Sequence, residues 1–315
     1  VTQPPSWQVT TKGLPWLFLQ YLLDVRLPNL PTFFKAFMST PLDRAADFLR
    51  TAQNQDGGWG YSARAGQSAP EASCYSLLAL TGRASESVRD GLSWLESRIG
   101  ADGGVRLEGD DEIHWSTSLA ALTLRRLAPG AGKLTQCLDC LITLHGTADT
   151  GVGWAWTDQT YSWVEPTCYA VLALKAAGWA RHTRVREAED TLHARICKTG
   201  GWNQGLLKSF NRELTGLPAQ TALAILALQD HAESESLIDH TAEWLASEVS
   251  SQPTVLTLAW STLALNAIGR NENGFPAELE RRQQTDGSWR SAVHLTALSM
   301  LALMAAGEGR NVFKI

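Results

Sequence analysis

Two glutamates, each followed by the same short text, are the first candidates for chemistry. Ser162-Trp163-Val164-Glu165-Pro166-Thr167-Cys168-Tyr169 sets a carboxylate, aromatic groups and a proline at the head of an apolar run that ends in Leu172-Ala173-Leu174. The text recurs as Ala69-Pro70-Glu71-Ala72-Ser73-Cys74-Tyr75 before Leu78-Ala79-Leu80, so Glu71 matches Glu165 and Tyr75 matches Tyr169. Proline suits a first helical turn, where its missing N–H is not needed. A carboxylate there is favoured by the helix dipole alone, and it is also well placed to act as an acid or base on a bound molecule.

A denser acidic stretch is Glu108-Gly109-Asp110-Asp111-Glu112-Ile113-His114-Trp115. Asp110 and Asp111 could supply an acid–base pair, hold Mg²⁺ against a bound diphosphate, or simply cap the helix that follows. His114 and His294 add imidazoles that titrate near neutrality. Trp115, Trp163 and Trp260 lie on or just before apolar helices, where aromatic faces can either fill a core or stabilise a cation by about 0.5–2 kcal/mol each.

The elements that must position these groups come from an internal repeat. Phe48-Leu49-Arg50-Thr51-Ala52-Gln53-Asn54-Gln55-Asp56-Gly57-Gly58-Trp59 reads as a helix end, a glycine turn and an aromatic. Variants recur at Trp94–Val105, Gly151–Trp154, Leu192–Trp202 and Leu279–Trp289. Glycine there takes the left-handed conformation, and the tryptophan can fold back on the helix it follows. Trp59, Trp154, Trp202 and Trp289 are therefore structural. After each turn comes an almost wholly apolar helix, expected over 70–81, 113–125, 164–176, 217–229, 255–267 and 292–304. Each is preceded by an amphipathic one, over 41–54, 86–99, 134–145, 184–197, 236–248 and 276–284. A helix apolar on every side is buried on every side. Six buried helices inside six half-exposed ones make an all-α (α/α)6 toroid. Counting back from the closing leucine of each inner helix aligns Glu71, Trp115, Glu165, Ala219, Leu256 and His294 around one mouth. This register sets Glu165 opposite His294, a pair expected to be ionic and suited to positioning or general-base work.

The 315 residues suffice for one large toroid, and the net charge of −5 gives no reason to expect nucleic acid as a partner. Five cysteines, an odd number, suit a reducing, cytoplasmic setting. Cys137 and Cys140 lack a second pair of ligands and read as buried thiols. Residues 1–40 read as a polar arm and an apolar strap, 41–308 as the toroid and 309–315 as a tail. The segment 14–38 is either a strap across the domain or a peripheral membrane contact. No run of charge-free apolar residues is long enough to span a bilayer.

The glycine-turn-tryptophan repeats resemble the QW motif of squalene–hopene and oxidosqualene cyclases, aromatic-Leu-x3-Gln-x3-Gly-x-Trp. Phe48-Leu49, Gln53, Gly57 and Trp59 match it, and Leu279, Gln284, Gly287 and Trp289 give a shortened match. The copies ending at Val105 and Trp202 lack the glutamine, and that near Trp244-Leu245 lacks the Gly-x-Trp. The resemblance covers about residues 41–304 and extends to protein prenyltransferase β-subunits, which share the toroid. It implies an isoprenoid-processing enzyme of the class II terpene cyclase kind that binds an apolar polyprenyl substrate in a Trp-lined central cavity. Laid on Thr167, the family's Asp-x-Asp-Asp-Thr acid motif places Glu165 where the proton-donating Asp stands, with Trp163 and Pro166 where its companions stand. Catalytic roles then fall to Glu165, Asp110, Asp111, His114 and His294, and substrate contacts to Glu71, Trp115, Trp163, Tyr169 and Trp260. His294 matches the zinc histidine of the prenyltransferases, but 253–259 offers no Asp or Cys to join it, which argues against that zinc chemistry. The alternative is a toroid without catalysis that binds a lipid or a protein.

Overall fold

A computed structural model describes residues 39–147, 152–231, 234–271 and 274–315. The arm and strap expected over 1–38 lie outside the described residues, as does Gly151 of the third turn. Pro41–Ile315 form one compact unit. The described residues contain twelve helices: α1 (Pro41–Thr51), α2 (Pro70–Leu80), α3 (Ser85–Arg98), α4 (Ser116–Leu127), α5 (Gly132–Thr143), α6 (Val164–Ala176), α7 (Thr183–Ala194), α8 (Pro218–Leu228), α9 (Glu235–Ser251), α10 (Val255–Ala267), α11 (Gly274–Arg281) and α12 (Val293–Glu308). A two-residue hairpin, β1 (Lys208–Ser209) with β2 (Arg212–Glu213), precedes α8.

The even-numbered helices form the inner ring. Each packs on the next, from α2 through α4, α6, α8 and α10 to α12, and α12 closes on α2. Odd-numbered helices back them from outside, and α1 packs on α12. The ring order follows from composition. Every residue from Val164 to Lys175 except Glu165 is buried in α6, whereas α1 buries little beyond Ala45 and Leu49. This is the (α/α)6 toroid expected from the repeat.

The turns act as clasps. The indole N–H of Trp59 donates to the Leu49 carbonyl (2.7 Å), and Trp154, Trp202 and Trp289 donate likewise to Leu141, Leu192 and Leu279. The backbone N–H of the same four tryptophans donates to a hydroxyl one turn into the next inner helix: Ser73, Thr167, Thr221 and Thr296. Val105 keeps this second bond, to Thr117, without the indole. Gly287 has φ +87°, and a Cβ there would come within 2.2 Å of the Arg44 carbonyl, so the turn needs glycine both for its backbone and for close approach to α1.

Three expectations shift. α4 begins at Ser116 rather than 113, because the His114 and Trp115 N–H groups are taken by the Val105 and Trp156 carbonyls. The glutamine equivalent to Gln53 is Gln283, not Gln284. Gln53 donates to the Gly57 and Ser87 carbonyls, Gln283 to those of Gly287 and Pro41, while Gln284 accepts from Ser288. Finally, 309–315 is bound into the toroid. Phe313 is fully buried against Trp260, ring centroids 5.2 Å apart, and its carbonyl accepts from Gln229.

At the far end of the inner helices Lys175 is buried between Glu189 (2.6 Å), Asp230 and the Ala227 carbonyl (2.7 Å), tying α6, α7 and α8 together. Among the described residues no helix is long and apolar enough to cross a membrane.

Candidate functional site

Glu71 and Glu165 each stand in the first turn of an inner helix, with Tyr75 and Tyr169 one turn deeper. Side chains four residues apart lie on one helix face, so each helix presents a carboxylate above a phenol. The two phenols meet across the interior and hydrogen-bond to each other. Both are almost wholly buried, at 2% and 1% exposure. Trp260 of α10 lies edge-on to both rings, at 6.1 and 6.2 Å, and Trp115 lies 5.0 Å from Tyr169. Trp156 packs edge-on against Trp115 at 5.4 Å. Below Trp260 comes Phe313. The axis is thus filled with aromatic rings beneath the carboxylates.

Tyr61 donates to one Glu71 oxygen (2.9 Å), and the Gln220 amide donates to Glu165 (3.3 Å). Neither glutamate has a cationic partner within ion-pair distance among the described residues. Burial pushes Glu165 up to about 7, the charge of Glu71 adds to the rise, and the Gln220 bond opposes it. Burial raises Glu71 too, opposed by the Tyr61 bond. Desolvation disfavours the charged form, and a neighbouring like charge disfavours it again. Both carboxyls therefore hold their protons to higher pH than free glutamates do.

The expected Glu165–His294 ion pair does not form among the described residues. Glu165 is reached by Gln220 of α8 and by the charge of Glu71 on α2, while the His294 ring stands edge-on to Tyr61 at 5.6 Å. Burial lowers the His294 pKa, opposed by a bond to the Tyr61 backbone, and its Nδ1 is buried without a partner, both of which disfavour the charged form. The register places His294 at the mouth correctly. It does not foresee that Tyr61, in the loop before α2, meets the His294 ring and donates to Glu71.

Asp110 and Asp111 lie in an exposed loop. Asp110 accepts from the Glu112 N–H (2.9 Å), and the Asp111 carbonyl accepts from Arg106. No hydrogen bond or ion pair joins either to Glu165 among the described residues. His114 shares a hydrogen bond with Ser116 (3.0 Å), and burial lowers its pKa against the opposing charge of Asp110. Trp163 turns to Tyr161, ring centroids 4.9 Å apart, and caps α6 without joining the axial rings. Leu256, another mouth position by register, is exposed. The structure so gathers Glu71, Glu165, Tyr169, Trp115 and Trp260, and leaves Asp110, Asp111 and Trp163 apart. Tyr61, Gln220 and Phe313 were not foreseen. Tyr75 was foreshadowed only as the repeat mate of Tyr169. Among the described residues no group of three or more His, Cys, Asp or Glu side chains could hold a metal ion.

No known family model matches the sequence. Drimenyl diphosphate synthase of Streptomyces showdoensis is 29% identical over 228 residues, which is 70% of this chain and 41% of that protein. The chain thus spans about two fifths of the length of this curated relative. Among solved structures, the type II terpene cyclase MstE from Scytonema superposes with a TM-score of 0.63 at 16% identity, covering 84% of this chain and 97% of that one. MstE has also been solved with geranylgeranyl dihydroxybenzoate as substrate. An α-1,6-mannanase of Salegentibacter sp. superposes almost as well, with a TM-score of 0.62 at 12% identity over 84% of this chain and 97% of that one. The fold is that of the terpene cyclase-like toroids. At such identities it is shared with glycoside hydrolases, and the chemistry must be argued from the site.

Proposed function

We propose that this toroid belongs to an isoprenoid-processing enzyme of the class II terpene cyclase kind, with Glu165 as its proton donor. The supporting observation is the Glu71–Glu165 pair, buried without a cation at the head of an aromatic axis. In the proposed step the Glu165 O–H bond breaks and its proton forms a C–H bond with the CH carbon of the terminal (CH3)2C=CH alkene of a polyprenyl chain. The other alkene carbon becomes a tertiary cation, and the carboxylate left behind accepts from Gln220. Burial favours the protonated form of Glu165, and the charge of neighbouring Glu71, held by Tyr61, adds to it. Trp115, Trp260, Tyr75 and Tyr169 face the developing cation, each ring contributing about 0.5–2 kcal/mol. A polyprenyl chain enters by parting the Tyr75–Tyr169 pair. His114 and His294, beside Trp115 and Tyr61, place the substrate's polar end rather than transfer protons, and Asp110 and Asp111, in their exposed loop, take no part in the step. Mg²⁺ would help only with a diphosphate substrate. Among the described residues no group of three or more His, Cys, Asp or Glu side chains would hold it.

The carbohydrate reading fits less well, because cleavage of a glycosidic bond needs two carboxylates flanking an open cleft. The filled axis favours a second reading, a toroid that binds a lipid without transforming it. Incubation with squalene and with farnesyl and geranylgeranyl diphosphates, with and without Mg²⁺, followed by mass spectrometry of extracts, separates the two. A cyclic product that disappears in Glu165→Gln supports the cyclase. Unchanged substrates, or a product that survives Glu165→Gln, overturns the role given to Glu165.

A further inference from the structure

The mouth of the toroid is also its greasiest exposed surface. Among the described residues, every exposed large apolar side chain except Ile315 sits in a loop before an inner helix or in that helix's first turn. The hairpin before α8 is the extreme case. Phe210 at its tip is 99% exposed, and Leu206, Leu207 and Leu217 at its base are 37–41% exposed. Phe210 has φ +48° and Asn211 φ +60°, the left-handed conformations of a two-residue hairpin turn. Asn accepts such a conformation readily and a bulky aromatic does not. Neither the turn nor the core calls for phenylalanine there.

The surroundings of the tip carry more positive charge than negative. Lys198 (2.9 Å) and Lys208 (3.2 Å) share a single carboxylate, Glu213, and Arg212 stands across the ladder from Ser209. Three cations thus gather around one anion in a chain whose net charge is −5. The hairpin adjoins the site. The Gln204 carbonyl accepts from the Val164 N–H, one residue before Glu165.

We propose that the hairpin 206–213 docks the mouth of the toroid on an anionic lipid bilayer. Phe210 enters the boundary between headgroups and acyl chains, the leucines at its base follow, and Lys208 and Arg212 meet lipid phosphates. A lone aromatic that projects this far needs a medium that can close around it, which a bilayer does and a rigid protein surface does only with a matching pocket. Aromatic insertion and basic flanks reinforce each other at such an interface. The docking does not depend on the activity proposed above.

Co-sedimentation with vesicles of phosphatidylcholine alone, and of phosphatidylcholine with phosphatidylglycerol, tests it. The parent chain should pellet with the anionic vesicles and be released by salt. Phe210→Asn should weaken that partition about tenfold or more, as expected for losing a buried aromatic. Its thermal midpoint should be no lower than the parent's, because Asn suits the turn better. Lys208→Ala/Arg212→Ala should weaken binding to anionic vesicles and flatten its salt dependence. The proposal is overturned if the parent ignores anionic vesicles, or if Phe210→Asn pellets as well as the parent. A parent that is dimeric by light scattering, made monomeric by Phe210→Asn, and indifferent to vesicles would assign the tip to a second copy of the chain instead.

Discussion

Glu165→Gln removes a charge that burial works against while keeping the shape of the side chain and its bond from Gln220. In the unfolded chain Glu165 titrates at its ordinary value of 4.5, and in the folded chain at about 7. Between these values the folded state holds a proton that the unfolded state has released. Stability therefore falls as pH rises through that window and levels off above it. At about 1.4 kcal/mol per pH unit, the penalty above pH 7 is about 3 kcal/mol. The glutamine variant lacks this penalty. Urea denaturation of both chains from acid to mildly alkaline pH is the assay. The variant should match the parent below the carboxylate range and exceed it by up to ~3 kcal/mol at alkaline pH. Glu71→Gln should recover part of that gain, since the charge of Glu71 is the second cause of the rise. A variant whose stability relative to the parent does not change with pH would refute the reasoning. It would mean that Glu165 is ionised in the folded protein at neutral pH.

The remaining predictions concern the frame. Trp202→Phe strips the Leu192 carbonyl of its buried donor and should cost about 1–3 kcal/mol in urea denaturation. Gln283→Ala should lower the thermal midpoint more than Gln284→Ala, because only Gln283 ties α11 to the start of α1. Lys175→Ala leaves buried Glu189 with only the His231 imidazole 3.9 Å away and should destabilise by up to about 3–5 kcal/mol, whereas Lys175→Met with Glu189→Leu should restore much of the loss.

The architecture is legible in the sequence because the signals that specify it are local. A glycine turn, a tryptophan and an apolar run each act over a few residues, and their repetition leaves few other ways to close the chain. Glu71 and Glu165 are legible for the same reason, as repeat mates at helix starts. What escapes is what depends on loops and on distance. Register alone cannot show that Tyr61 bridges His294 and Glu71, or that Gln220 reaches across to Glu165. Nor does a short polar tail announce that Phe313 will fill the far end of the axis. Gln283 is misassigned to Gln284 because adjacent glutamines look alike in text and differ only in the direction each points. The mutual influence of the two glutamates emerges only when α2 and α6 are seen to face the same interior.

The clasp that joins outer to inner helices is complete at four of the six joints, reduced to its backbone bond at Val105, and missing altogether at one. Between α9 and α10 there is no glycine turn and no following tryptophan, and α10 starts instead from a capping box of Thr254 and Thr257. Trp244 of α9 packs against Gly200 and Gly201 of the preceding turn. A closed ring with one unfastened joint concentrates its breathing there. Opening at α9–α10 leaves every other clasp intact, so it is the least costly way to break the circle. Backbone amides at 250–256 should then exchange with solvent faster than those at the five clasped turns. The same opening would move Trp260 off the Tyr75–Tyr169 pair without disturbing Glu71, Glu165 or the helices that carry them.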